Sequence, residues 1–178
     1  MKIKNIFATG AIHIGKTTIL NHAINSFPHL KIGGFRTVPI YKDNQKKGFL
    51  FESLEGTKKI FAHVDLHSNQ QFDVYKFDYT VFEEIGVSSL EHALLKSDLI
   101  LMDEIGMMEK QTAKFKEAIL NCLNSVKPVL GAFQERATWF ENILNERNDT
   151  KIFQVTKTNR DFITQQIAEL INQTLKLK

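Results

Sequence analysis

Cysteine is nearly absent. The 178 residues hold one, Cys122, which excludes an intrachain disulfide framework and a Cys-rich zinc module. A chain without cystine suits a reducing compartment. The 3 prolines and 9 glycines are too few for a collagen-like or low-complexity chain. Arginine is sparse as well: Arg36, Arg136, Arg147 and Arg160 stand among 23 basic residues, most of them scattered lysines. Against 20 acids they leave a formal charge of +3, which does not call for nucleic acid. No apolar run approaches the ~18 residues of a membrane span, and the apolar part of MKIKNIFATG is too short for a signal peptide. The expectation is a soluble, cytoplasmic protein with no membrane or specific nucleic-acid partner. What is present, 43% hydrophobic and 24% charged residues, is ordinary for one globular domain spanning 1–178.

Strand and helix patterns alternate along most of the chain. Residues 2–8 form a short apolar run that meets Thr9-Gly10, a buried strand by its pattern. From Lys16 to Asn25 a helical face carries Leu20, Ala23 and Ile24, and Pro28 stops it. Residues 32–41 read as a second strand. The stretch 45–77 differs: GFLFESL and KKIFAHV flank Glu55-Gly56, a hairpin signal, and QFDVYKF reads as one more strand. This is an antiparallel insertion. Alternation then resumes, with Ser88 and Glu91 spaced as a capping box before a helix over 88–96 and an apolar strand over 98–102. A helix over 112–124 and the strand PVLGAF (128–133) follow. Thr138 with Glu141 and Thr158 with Asp161 are spaced to cap two further helices around a strand at 151–155. The pattern predicts an α/β fold of three layers around a mostly parallel central sheet.

The first strand runs into GAIHIGKTT, which satisfies G-x-x-x-x-G-K-[ST] from Gly10 to Thr17. A chance match in a chain of this composition is on the order of 1 in 200. Gly10 and Gly15 free the backbone to approach phosphate oxygens. The amides of Gly10, Ala11, Ile12, His13, Ile14 and Gly15 can then cradle them at a helix N-terminus. Lys16 supplies a cation to the β- and γ-phosphates, Thr17 a hydroxyl for Mg²⁺, and Thr18 a further phosphate contact. In SDLILMDEIG an apolar strand ends in Asp103, where a sheet delivers a carboxylate to the metal. Glu104, next to it, is placed to deprotonate an attacking water. These residues point to a nucleoside triphosphate substrate.

Asp103 to Gly106 also reads as D-x-x-G, as in small GTPases, but no N-K-x-D guanine-reading motif occurs. Gln134, just after PVLGAF, is a candidate sensor of the γ-phosphate or the water. Arg136 and Arg160 are candidates to compensate phosphate charge or to stack on a base. His63, Asp65 and His67 would share one face of a strand and could hold a metal; with no fourth ligand nearby, a polar hairpin face is the reading preferred. Cys122 lies on an apolar helical stripe and reads as core.

Several ordered segments together resemble the cancer-related nucleoside-triphosphatase family, the THEP-type P-loop NTPases. TG....GKTT at Thr9 to Thr18 matches its P-loop, and GGFRT at Gly33 to Thr37 its G-F-x-T segment. DEIGMME, Asp103 to Glu109, is similar to that family's D-E-I-G-K-M-E, PVLGAF to its P-V-L-G-T, and VTKTNRD to its V-T-x-x-N-R-D. The resemblance implies a slow, Mg²⁺-dependent hydrolase of nucleoside triphosphates with broad base choice. It also implies the ASCE (RecA-like) arrangement, in which one strand, here PVLGAF, separates the P-loop strand from the strand of Asp103. It brings Asn159 and Arg160 to the nucleotide. The chain departs from the family at Ile12-His13, where a Pro-Gly pair is usual, and at Met107, where a lysine is usual. A monomer is expected. The residues leave two other functions open: a small-molecule kinase, against which the scarcity of lid arginines counts, and a nucleotide-dependent switch without turnover.

Overall fold

The computed structural model describes residues 2–176. Its centre is a nine-stranded mixed sheet in the order β5-β6-β4-β3-β2-β7-β8-β1-β9. Strands β1 (Asn5–Thr9), β2 (Ile32–Lys42), β7 (Leu99–Ile105), β8 (Val129–Phe133) and β9 (Thr150–Gln154) run parallel. The remaining four, β3 (Gln45–Ser53), β4 (Lys58–His63), β5 (Gln71–Phe72) and β6 (Tyr75–Phe77), add antiparallel beyond β2. The insertion is therefore an extension of the main sheet, hung on the second half of a long β2. Strand β8 lies between β1 and β7, as the family resemblance implies.

Alternation along the strands divides the core in two. Ile6 and Ala8, with Leu99, Leu101, Leu130 and Ala132, face α1 (Lys16–Asn25) and α5 (Arg160–Lys176). Phe7, Ile100, Met102, Val129 and Phe133 face the opposite layer, built by α2 (Val87–Lys96), α3 (Ala113–Asn124) and α4 (Thr138–Asn145). Parallel strands covered on both faces are buried along their length, as β1, β7 and β8 are, and their central residues are apolar. No helix among the described residues is long and apolar enough to cross a membrane.

Four local expectations are corrected. QFDVYKF is a tight hairpin of two short strands, with Asp73 at φ 55° in its turn. The capping box at Ser88 does not form, because the helical run begins earlier, as a π-helical turn over Val81–Gly86. Ser88 is thus interior to the run, and the buried Ser89 donates to Gly34 O (2.7 Å). Thr138 is already helical, behind an Ala137 cap that offers no side-chain oxygen. Thr158 precedes α5 by two residues and shares its hydroxyl with Thr156 (3.3 Å).

Candidate active site

The loop between β1 and α1 turns through two left-handed glycines, Gly10 (φ 148°) and Gly15 (φ 102°), the second being the residue that caps α1. His13 between them also has a positive φ, 62°. Lys16 is buried; its Nζ donates to Gly10 O (2.7 Å) and Ala11 O (3.3 Å) and pairs with Glu104 Oε1 at 3.0 Å. One residue on, Thr17 Oγ1 donates to Asp103 Oδ1 at 3.1 Å. The two motifs, 86 residues apart in the chain, thus meet through two direct side-chain contacts.

The tip of β7 separates the roles of its two acids. The register between β7 and β8 shifts between Asp103 and Ile105, so Glu104 is an extra residue opposite the β8 ladder. A bulge of this kind re-aims a side chain. Asp103 stays buried, 2% exposed, beside Thr17, while the Glu104 side chain is a quarter exposed and reaches Lys16. Burial pushes the Asp103 carboxyl up to about 6, opposed first by the Thr17 hydrogen bond and then by the charge of Arg36. Arg36 is the β2 neighbour of Asp103 in the parallel ladder, and its Nη2 donates to Asn21 Oδ1 (2.5 Å) on α1. Thr37 holds the backbone of Glu104, accepting from its N–H at 3.3 Å.

Behind Glu104 the chain turns through Gly106, whose N–H donates to Glu109 Oε2 (2.9 Å) and whose carbonyl accepts from Trp139 Nε1 (2.9 Å). Burial raises the Glu109 carboxyl to about 7. The position of the missing family lysine, Met107, leads into a 3₁₀ turn over Met108–Gln111. Gln134 packs on Gly106, where an added Cβ would lie 2.8 Å from its amide.

Lys16, Thr17, Thr37, Glu104, Glu109 and Gln134 line one cavity of about 360 Å³, and Asp103 and Arg36 lie outside its lining. P-loop residues from Ile12 to Thr18 line one end, Glu104 and Gln134 lie along it, and Thr37, Pro39, Lys46, Phe49 and Phe61 close the other. Arg136 stands at its edge, donating from Nε to Gln134 Oε1 (3.1 Å). Arg160 adjoins the P-loop, and neither it nor Asn159 lines this cavity. The Arg160 stem lies over Gly15, 3.4 Å from where a Cβ would be. Asn159 uses its amide to fix the loop, accepting from Thr156 N–H (2.8 Å) and donating to Gln154 O (3.0 Å).

The His63 group does not assemble. Strand β4 ends at His63, so Asp65 and His67 fall in the next loop, and Asp65 N–H caps His63 Nδ1 locally (3.1 Å). No group of three or more His, Cys, Asp or Glu among the described residues is arranged to hold a metal ion. Cys122 is fully buried, and burial pushes its thiol up to about 12. Arg36, Thr37, Lys46 and Glu109 were not singled out by sequence. Only Arg36 to Thr37 and Glu109 had any signal, as members of segments matching the resemblance.

A loop of left-handed glycines thus ends in a buried lysine, with an acid-bearing strand one place removed in the sheet. The comparisons agree with this geometry. The family described as NTPase matches residues 5–168. The nucleoside-triphosphatase THEP1 of Thermotoga sp. (strain RQ2) is 33% identical over 93% of this chain and 94% of its own. That of Methanocaldococcus jannaschii is 32% identical over 96% and 99%. Among solved structures, THEP1 from Aquifex aeolicus superposes with a TM-score of 0.81 at 25% identity, covering 94% of this chain and 98% of that one. A human cancer-related nucleoside triphosphatase gives 0.78 at 25%, over 96% and 98%. With the motifs joined in space and the likeness running nearly end to end in each partner, the chain belongs to this NTPase family.

Proposed function

We propose that the chain hydrolyses nucleoside 5′-triphosphates to diphosphate and phosphate, with Mg²⁺ and with little preference among bases. The observation that carries this reading is the double contact Lys16–Glu104 and Thr17–Asp103, which brings a phosphate-binding cation, a hydroxyl and two carboxylates to one point. The Lys16 ammonium exchanges its carbonyl partners for β- and γ-phosphate oxygens, and the loop amides bind the rest. Thr17 and Asp103 offer two hard oxygen donors 3.1 Å apart, a set that suits Mg²⁺. When bound there, the ion neutralises phosphate charge. Glu104 accepts a proton from a water as that water's oxygen bonds to the γ-phosphorus and the bond to the β–γ bridging oxygen breaks. Thr37 keeps Glu104 in place through its backbone.

Two residues at the start of α5 support breadth of base. Asn159 has both ends of its amide engaged in its own loop, and the Arg160 cation can stack on any base. In this reading the protein acts as a single-domain monomer in the cytoplasm. Glu104→Gln is expected to keep ADP affinity while lowering kcat at least ~100-fold with each of the four ribonucleoside triphosphates. Phosphate-release assays with and without Mg²⁺ check this; undiminished turnover in the variant removes Glu104 as the base.

A further inference from the structure

The cavity continues past the phosphate end. Beyond the P-loop residues and Glu104 it is lined by Met108 and by Thr37, Pro39, Lys46, Phe49 and Phe61, the last five on strands that lie on the side of β7 away from β1. A triphosphate on the P-loop puts its γ-phosphate at Lys16 and Glu104. The space beyond Glu104 is therefore on the far side of the γ-phosphate from the nucleoside.

That outer half is built mainly by the antiparallel insertion. Pro39, Phe49, Phe61 and Met108 line it. Two cations sit on aromatic faces at its rim. Lys46 Nζ is 5.0 Å from the Phe49 centroid, and the Arg136 guanidinium is 5.3 Å from that of Phe72. Neither cation has a carboxylate within 4.0 Å among the described residues, unlike Lys4, Lys16, Lys58 and Arg147. The two acids lining the same cavity are both engaged. Glu104 pairs with Lys16 at 3.0 Å, and Glu109, 2% exposed, accepts from Gly106 N–H with a carboxyl that burial raises to about 7.

An apolar wall with two uncompensated cations fixes the class of molecule that fits. A flat ring gains contact on Phe49 and Met108, and an anionic substituent reaches the half-buried Lys46 and the exposed Arg136 at the rim. Arg136 also offers a planar fork suited to a carboxylate or phosphate. We propose that the outer half of the cavity is a subsite for a small planar organic anion, bound next to the γ-phosphate at the same time as nucleotide. The subsite rests on the reading of the P-loop as a nucleotide site. Its occupant stands where water approaches Glu104, so it slows hydrolysis.

The test is calorimetry on the full chain with ADP and Mg²⁺, titrating 2-naphthoate and, as a neutral counterpart, 2-naphthalenemethanol. Naphthoate is expected to bind once per chain, at least tenfold more tightly than the alcohol, and to lower ATP turnover. Combined Lys46→Glu and Arg136→Glu should abolish that preference. Lys151→Glu should keep it, since Lys151 caps the Phe153 ring (5.7 Å) outside the cavity. The single variants Lys46→Gln and Arg136→Gln, each expected to lose part of the preference, serve if the double variant melts early. No naphthoate binding by the wild type, equal binding of acid and alcohol, or a preference surviving both reversals overturns the subsite. The ADP titration of the wild type is read separately: its failure removes the nucleotide reading itself, whereas naphthoate failing while ADP binds removes only the subsite.

Discussion

His13 occupies a backbone position that favours glycine. Its φ of 62° is left-handed, a region where an L side chain crowds the following carbonyl at about 1–2 kcal/mol. The family pattern has glycine at this place, so the departure visible in sequence has a physical consequence: the loop keeps its shape and carries strain. The imidazole can be separated from the strain by two substitutions. His13→Ala removes the ring and keeps the strained conformation; His13→Gly removes both. The glycine variant is expected to be more stable than the alanine variant by about 1 kcal/mol in urea denaturation without nucleotide, reversing the usual order of these residues. A glycine variant less stable than alanine shows that the loop relaxes around residue 13. The same residue scale explains what sequence made legible at the site. Lys16, Thr17, Asp103 and Glu104 were readable because each motif is local, a strand end joined to a turn. Arg36 and Thr37 were not, because only the register between β2 and β7 sets them beside Asp103 and Glu104.

At the scale of elements, the insertion is joined to the body by phenylalanine packing. Phe82, on the π-helical turn, touches Phe51 (5.7 Å) and Phe61 (4.8 Å) of the insertion and Phe115 (5.1 Å) of α3. Phe35 on β2 stacks on Phe51 at 5.1 Å and meets Phe115 at 5.3 Å. Phe82 is fully buried. Phe82→Ala should therefore cost about 3–5 kcal/mol, a large part of a domain's usual ~5–15. Urea denaturation checks the loss, and a change under ~1 kcal/mol would mean that the insertion hardly depends on the body. This packing also shows why parts of the fold escaped a linear reading. Periodicity placed nearly every element, since apolar strands and amphipathic helices declare themselves locally. The helix starts failed where tertiary contacts overrode a polar pattern. Ser89 serves Gly34 across the layer, and the chain before it coils as a π-helical turn that buries Val81 and Phe82. Asp65 and His67 failed as a strand face because β4 stops at His63.

For the whole molecule, the buried carboxyls set how stability answers to pH. The chain carries a formal charge of +3, so gaining protons on acidification is not relieved by a net negative start. Glu109 acts in the opposite sense to an ion-paired carboxylate. Its carboxyl is raised by burial from 4.5 to about 7 in the folded protein, so the folded state holds its proton more tightly than the unfolded chain does. Between those values the native state binds more protons, and stability falls as pH rises through the window. Below it Glu109 is protonated in both states; above it the full penalty of the buried charge applies and no further change follows. Glu109→Gln keeps an acceptor for Gly106 N–H and removes the titration. The variant should gain on the wild type by roughly 2–4 kcal/mol between pH 4.5 and pH 8, with most of the change below pH 7. Comparing the two proteins cancels the contribution of Asp103, whose carboxyl is also raised by burial, to about 6, and is retained in both. Urea denaturation at pH 5, 6, 7 and 8 measures the difference. Parallel profiles would show that Glu109 ionises in the folded protein as readily as in water, and that the turn behind Glu104 is open to solvent.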